Sequence, residues 1–301
     1  MRPTPAPSRR ATVLMTAAAL TAGLVATAQP SDATIATKFG AVVKPEKGTT
    51  YQSALATSEN RYGRLGVIRY FDNNTPDDWS SLSAKLTDHN AIVSFRMPPS
   101  EVNSGQHDAL LSKWFADAPR DRVTWFTYLH EPEDNIARGE FKLDAYRAAT
   151  RRVFALAHAA GNSRLRSTQI FMCYTVNPKS GRNWRDYFVG ASYVDALGWD
   201  CYDHGFQDGG YGQPENLFGN AVAATKKAGV AFGVAEMGSL VVPGDDGTGR
   251  AAWLKASAKY LYQNNAAFVS YFDTNGAGTD YRLTDTPSKR AWRSVVIDQT
   301  P

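Results

Sequence analysis

The sequence predicts an α/β fold, a single (β/α)8 TIM barrel, from three observations. Strand-like apolar runs alternate with amphipathic helix-like runs, there are eight strand-like runs, and 273 of the 301 residues remain once an N-terminal leader is set aside. Strands that alternate with helices form parallel sheets through right-handed crossovers. Eight such units in a chain of about 250 residues close most naturally into a barrel. An open doubly wound sheet is the alternative.

The eight strand-like runs are rich in Val, Ile, Phe and Tyr and are short enough to be strands. They are Phe39–Val43, Leu65–Tyr70, Ala91–Phe95, Val123–Leu129, Gln169–Thr175, Val194–Asp200, Ala231–Glu236 and Phe268–Asp273. Helical spacing is clearest between the fourth and fifth runs, where Leu143, Tyr146, Val153 and Leu156 share one face and Gly161 can end the helix.

The first 28 residues are predicted to be a signal peptide. Arg2, Arg9 and Arg10 precede a weakly apolar run, and Ala26-Thr27-Ala28 has the small-x-small pattern of a cleavage site. The run is shorter than the roughly 20 residues of a membrane-spanning helix. We therefore expect a secreted protein with no membrane association after cleavage, exported by either the general or the twin-arginine route.

The remaining chain is interpreted as one domain. A short linker, 29–36, follows the signal peptide and precedes a barrel at 37–301. The leader carries three arginines and no acidic residue, so its removal lowers the formal net charge from +4 to +1. A nearly balanced charge argues against a nucleic-acid partner. We expect a monomer.

Two cysteines, Cys173 and Cys201, lie in strand-like segments. An exported protein can join them in a disulfide. Two buried thiols that pack as small apolar residues fit the sequence equally well.

Polar and aromatic residues end most of the strand-like runs. In a barrel of this type, chemistry takes place at the carboxyl ends of the strands. The residues at these ends are Arg69, Tyr70, Arg96, His130, Glu131, Tyr174, Trp199, Asp200, Tyr202, Glu236, Asp273 and Asn275. They are expected to converge on one mouth of the barrel.

The motif HEP after the fourth run and the motif VAEMG after the seventh place Glu131 and Glu236 on opposite walls. This arrangement resembles the clan A glycoside hydrolases, and the His-Glu pair is most similar to family 26, the β-mannanase family. The resemblance implies that Glu131 is the general acid/base and Glu236 the nucleophile. It also implies that Arg69 supports the nucleophile, that Tyr202 donates a hydrogen bond to it, and that His130 positions the acid/base or a sugar hydroxyl.

The chemistry of glycoside cleavage independently requires two carboxyl groups. One must be protonated to release the leaving oxygen and the other ionised to attack, and a separation of about 5 to 5.5 Å gives retention of configuration. A cation and a hydroxyl beside Glu236 would keep it ionised, whereas its own charge would raise the pKa of Glu131.

Sugar rings also need flat apolar surfaces to stack on. The predicted stacking residues are Tyr70, Phe71, Tyr174, Trp184, Trp199, Tyr202, Phe206, Tyr211, Tyr271 and Phe272. The glycine-rich segment 204–213 and the segment around Trp184 are interpreted as binding loops.

Several of these residues can also be explained by a structural role alone. HEP can be a helix-entry turn, because Pro favours the first helical position. Arg69 and Asp200 can form a structural ion pair, and Trp199 can belong to the core. Trp125 and Tyr128 are predicted to be core residues, and Glu133 and Asp134 solvated loop charges.

The sequence thus predicts a secreted, retaining endo-acting hydrolase of a β-linked polysaccharide or oligosaccharide, with β-mannan as the leading substrate by resemblance. No metal or cofactor is expected, because neither HxH nor HExxH spacing occurs. The loop after Glu131 lacks the tryptophans usual in family 26, which leaves the sugar open. The alternatives are a non-catalytic carbohydrate-binding barrel and a barrel hydrolase of different chemistry.

Overall fold

The computed structural model describes residues 36–204 and 210–301, and it confirms the predicted barrel. Eight strands pair in sequence order and close, since β1 pairs with both β2 and β8, and all eight pairings are parallel. The strands are β1 Lys38–Val42, β2 Val67–Phe71, β3 Asn90–Phe95, β4 Thr124–Tyr128, β5 Leu165–Met172, β6 Ala196–Asp203, β7 Ala231–Ser239 and β8 Phe268–Tyr271.

Ten α-helices lie in the described part of the chain, in the connections that follow the strands. They are α1 Tyr51–Tyr62, α2 Trp79–Leu86, α3 Pro99–Asn103, α4 Asp108–Asp117, α5 Pro132–Ala137, α6 Leu143–Ala159, α7 Trp184–Tyr187, α8 Pro214–Ala228, α9 Thr248–Gln263 and α10 Thr286–Asp298. Side chains satisfy free amides at several helix starts. The carboxylate of Asp78, for example, accepts a hydrogen bond from the Ser81 amide at 2.9 Å.

The signal peptide 1–28 lies outside the described residues, as does the linker except for Ala36. Residues 205–209 of the predicted glycine-rich loop, including Phe206, lie outside them as well. Within the described part of the chain, none of the helices combines the length and apolar character needed to span a bilayer.

Alternation along β4 explains how the core is built in two layers. Trp125 points into the barrel and packs on Phe268 of β8, with ring centroids 4.9 Å apart. Its neighbour Phe126 points outward and packs on Phe154 of α6 at 5.5 Å. Tyr128, also outward, stacks with Tyr146 of α6. The predicted core positions of Trp125 and Tyr128 are confirmed.

Close packing inside the barrel also requires glycine at particular positions. A Cβ atom on Gly233 of β7 would lie 2.3 Å from the Phe268 ring. The Phe268 side chain therefore fills the space that a side chain at residue 233 would need.

The predicted fifth strand is shifted relative to the observed one. Strand β5 begins at Leu165 and ends at Met172, and Cys173–Val176 forms a 3₁₀ turn. Cys173 in this turn forms a disulfide with Cys201 of β6, which decides between the two alternatives for the cysteines. The bridge fastens the chain just beyond β5 to the carboxyl end of β6.

Candidate active site

Glu236 lies near the carboxyl end of β7, where the strand is irregular. Trp199 of β6 is in register with Val234, but the next residue, Asp200, is in register with Glu236. Ala235 is therefore an extra residue, and such a bulge re-aims the side chains that follow it. Glu236 is thereby placed at the mouth of the barrel.

Arg69 of β2 forms a buried ion pair with Glu236. Its Nη2 and Nε atoms donate to Oε1 of Glu236 at 3.0 and 3.3 Å, and the Arg69 side chain is fully buried. The hydroxyl of Tyr202, from β6, donates to the other carboxylate oxygen at 2.5 Å. Charge-assisted bonds to both oxygens hold Glu236 as an oriented carboxylate.

Arg69 is itself held on every side. Its Nη1 atom donates to the Ser94 hydroxyl at 2.6 Å and to the Tyr70 carbonyl at 3.3 Å. The Phe71 ring lies 4.0 Å from the guanidinium carbon, in cation-π contact. These contacts orient the Arg69 guanidinium so that its other two nitrogens donate to Glu236. The suggested structural ion pair between Arg69 and Asp200 is therefore wrong.

Glu131 lies where β4 gives way to α5. Both Leu129 and Glu131 have left-handed backbone conformations, with φ of 52° and 49°. Non-glycine residues in this region are strained, and such strain concentrates at functional sites. Pro132 begins α5, so HEP is a helix-entry turn as well as a site motif.

The environment of Glu131 favours its protonated form. Burial raises the pKa of Glu131 to about 8, and the neighbouring carboxyls of Glu236 and Glu133 add to the increase. Glu131 and Glu236 line the same cavity. One cavity thus contains a carboxyl that retains its proton at neutral pH and a carboxylate matched by a cation.

His130 also lines this cavity, with its ring centroid 5.5 Å from that of Phe71. Burial lowers the pKa of His130 to about 3, and the positive charges of Arg69 and Arg96 lower it further. The imidazole is therefore neutral near pH 7, so it can both donate and accept hydrogen bonds.

Asp200 lies beside the cavity without lining it. It is 3% exposed, and neither carboxyl oxygen has a hydrogen-bond partner among the described residues. Burial raises its pKa well above the usual range, and the Glu236 and Glu131 carboxyls add to this. Burying an ionised carboxylate without a paired cation costs much more free energy than burying the neutral carboxylic acid.

The central cavity has a volume of about 700 Å³. Of the predicted stacking residues, Tyr70, Phe71, Tyr202 and Phe272 line it. Tyr51, which begins α1, and Tyr281, which follows β8, also line it but were not predicted. Both lie beyond the strand ends, Tyr51 in the first turn of α1 and Tyr281 in the loop after β8, whereas the predicted site was confined to residues near the strand ends.

Five predicted stacking residues do not line the central cavity. Trp199 and Tyr271 point outward from their strands: the Trp199 indole donates to Thr225 of α8 at 2.8 Å, and Tyr271 packs on Trp292 of α10. Neither has any exposed surface. Successive side chains of a strand point to opposite faces, and these two lie on the outward face. The prediction that Trp199 and Tyr271 bind sugar in the cavity is therefore wrong.

Two more, Trp184 and Tyr174, lie in the connection after β5. Trp184 is buried in α7 against Phe188, with centroids 5.6 Å apart. Tyr174 is 51% exposed in the 3₁₀ turn. Tyr211, another predicted stacking residue, donates to Asp245 at 2.7 Å and is also absent from the cavity lining.

Glu133 was predicted to be a solvated loop charge, and this prediction is wrong. The residue is completely buried. Its Oε1 atom accepts hydrogen bonds from the Met172 amide at 3.0 Å and from the Thr175 hydroxyl at 2.6 Å. Burial raises the pKa of Glu133 to about 7. Glu133 thus ties the start of α5, next to Glu131, to the end of β5.

Across residues 36–204 and 210–301, no group of three or more His, Cys, Asp or Glu side chains is arranged to hold a metal ion.

Comparison by sequence finds neither a matching protein-family model nor a matching curated protein. Comparison of structures finds a family 26 β-mannanase from Bacteroides ovatus, with 12% identity, a TM-score of 0.58 and coverage of 88% of this chain and 90% of that one. A modular endo-β-1,4-mannanase from Cellulomonas fimi has 16% identity, a TM-score of 0.55 and coverage of 88% and 71%.

A family 128 endo-β-1,3-glucanase from Amycolatopsis mediterranei, in complex with laminaripentaose, covers 86% of this chain and 99% of that one, with 14% identity and a TM-score of 0.55. The structural resemblance to these barrels is confirmed. At such identities it establishes the shared fold.

We predict that the folded protein loses stability as the pH rises from about 5 to 8. Glu133 has a pKa of about 7 in the folded chain against an ordinary value of 4.5, so the folded chain binds this proton more tightly. Stability from this group is present at low pH and is lost as the pH rises toward 7. Between about pH 5 and 8, the unfolding free energy of Glu133→Gln should therefore decrease less than that of the wild type, by as much as roughly 3 kcal/mol.

Urea unfolding at several pH values measures this effect. Glu215→Gln, at an exposed position in α8, is the matched control and should retain the wild-type dependence. An identical pH dependence in wild type and Glu133→Gln would contradict the prediction.

Proposed function

We propose that the protein is a secreted, retaining glycoside hydrolase that cleaves a β-linked polysaccharide by double displacement, as a monomer and without a cofactor. One observation carries the proposal. Two carboxyl groups line one cavity in opposite environments, Glu236 paired with Arg69 and Tyr202 and Glu131 held protonated by burial.

In the first step, Glu131 gives its proton to the glycosidic oxygen as the bond to the anomeric carbon breaks. The Glu236 carboxylate attacks that carbon from the opposite face and forms a glycosyl ester, and the leaving sugar departs as an alcohol. Arg69 and Tyr202 orient the attacking carboxylate.

In the second step, Glu131 acts as the base. Once Glu236 is esterified its negative charge is gone, which removes one cause of the raised pKa of Glu131. Glu131 then accepts a proton from water, the resulting hydroxide equivalent attacks the anomeric carbon, and the ester to Glu236 breaks. Two inversions give net retention.

Cavities on both sides of the central one support cleavage within a polymer. Val42 and Lys44 line both the central cavity and a neighbouring one of about 330 Å³. On the other side, Asn73 lines both the central cavity and one of about 580 Å³. A chain could therefore extend past the two glutamates in both directions.

Mannan is the first substrate to test, on the resemblance of the HEP and VAEMG motifs. The β-1,3-glucan class is the second, since a glucanase shares the fold.

Glu236→Ala should abolish hydrolysis while leaving the fold intact. Reducing-sugar release is measured for wild type and variant on β-mannans, β-glucans, β-xylans and β-galactans. Added azide should restore turnover in the variant on an activated β-glycoside and give the α-glycosyl azide, because azide takes the place of the missing nucleophile. Glu236→Gln, which keeps the side-chain shape, is the control for folding.

Wild-type activity in Glu236→Ala would refute the assignment. Binding of a glycan without release of reducing sugar from any polymer by the wild type would favour the non-catalytic barrel.

Glu131→Ala should slow hydrolysis of natural glycans by about 10² to 10⁴. The loss of rate in the first step, in which the glycosidic bond breaks, should be smallest for aryl glycosides whose leaving group departs without a proton. The wild-type rate should also fall as the pH rises through about 8, where Glu131 loses its proton, and this alkaline limb should vanish in the variant. Initial rates across a series of leaving groups measure the effect. An equal loss for every leaving group would argue against the acid role.

A further inference from the structure

A side cavity lies next to the acid/base glutamate, between the carboxyl ends of β2, β3 and β4. It has a volume of about 580 Å³ and shares Asn73 with the central cavity. Leu129 lines the side cavity, whereas the next two residues, His130 and Glu131, line the central one. A polymer unit in the side cavity would therefore be close to the reacting bond.

Two cations in the side cavity form no ion pair with any residue that the structure describes. Arg96 and Lys142 both line it and are both exposed, and neither forms an ion pair or a side-chain hydrogen bond with the described residues. The one acid among the lining residues is Glu140, whose carboxylate already accepts hydrogen bonds from Arg138 and Asn135. The cavity therefore has a surplus of positive charge.

The rest of the lining suits a sugar ring. Phe141 is partly exposed and stacks on Tyr146, with centroids 6.3 Å apart and planes inclined by 25°. Asn73, Asn74 and Ser100 add groups that can donate and accept hydrogen bonds. An aromatic face with amides and a hydroxyl would serve any sugar, so the unpaired cations are the distinctive feature.

We propose that the side cavity binds an anionic sugar unit, so that the substrate is a β-glycan carrying carboxylate or sulfate groups. This substrate class rests on the proposed hydrolase function. The planar guanidinium of Arg96 can bind either anion through two parallel hydrogen bonds, and Lys142 adds a second charge. A wholly neutral mannan would leave both cations unused.

Matched pairs of glycans test the inference. Oligosaccharides of β-1,4-mannuronan are compared with those of β-1,4-mannan, which differ by reduction of the carboxyl group, and glucuronate-bearing β-xylan is compared with its carboxyl-reduced form. Partly sulfated and unsulfated β-mannan form a third pair, which distinguishes sulfate from carboxylate. Binding is measured by calorimetry in the full chain carrying Glu236→Ala, so that no ligand is consumed.

The anionic member of at least one pair should bind about 10-fold or more tightly than the neutral member, as expected for a charged hydrogen bond. Arg96→Gln should remove that preference, so that both members of the pair bind with similar affinity. Arg164→Gln, the same charge change at an exposed position just before β5 and thus at the opposite end of the barrel, should retain it. Added salt should weaken binding of the anionic glycan in each pair and leave binding of the neutral glycan unaffected.

Equal binding of both members in every pair, no binding of any glycan, or a preference that survives Arg96→Gln would overturn the inference. Cleavage of neutral mannan by the wild type without any anionic preference would overturn it and leave the hydrolase proposal standing. An Arg96-dependent preference without cleavage of any polymer would support the anion site and refute the hydrolase.

Discussion

The candidate site depends on one buried ion pair, Arg69 with Glu236. Removing a guanidinium from water costs several kcal/mol, and this cost is offset only when the geometry is good and the remaining donors are satisfied. Here Nε and Nη2 bind the carboxylate, and Nη1 binds the Ser94 hydroxyl and the Tyr70 carbonyl. The pair draws together β2, β3 and β7, so the barrel must be closed for the site to exist.

This pair also explains why the other carboxyls at the mouth differ from Glu236. Arg69 supplies one buried positive charge, and this charge forms an ion pair with Glu236. Glu131 and Asp200 share the same region without a cation of their own, and burial and like charge therefore raise the pKa of each. The structure thus separates an ionised carboxyl from protonated ones through a single cation, which is the division of roles that glycoside cleavage requires.

Much of this could be predicted from the sequence, because the barrel is specified by local patterns. Eight apolar runs gave the eight strands, and the polar residues that end them include Arg69, Glu131 and Glu236. The failures have physical causes. Tyr271 ends a strand as well, but its side chain alternates outward, so position along the strand did not predict its direction. Glu133 is buried by contacts with Met172 and Thr175 that are 39 and 42 residues away in the chain, and no local pattern reports such contacts.

The central claim is that Glu131 is protonated at neutral pH because partial burial and the neighbouring charge of Glu236 raise its pKa. Carbon-13 NMR titration of side-chain-labelled glutamate tests it most directly, with the Glu131 signal assigned from its absence in Glu131→Gln. The account predicts a titration midpoint near 8 for Glu131 and a lower midpoint in Glu236→Gln, where the like charge is removed. A midpoint near the ordinary value of 4.5, unchanged in Glu236→Gln, would contradict it.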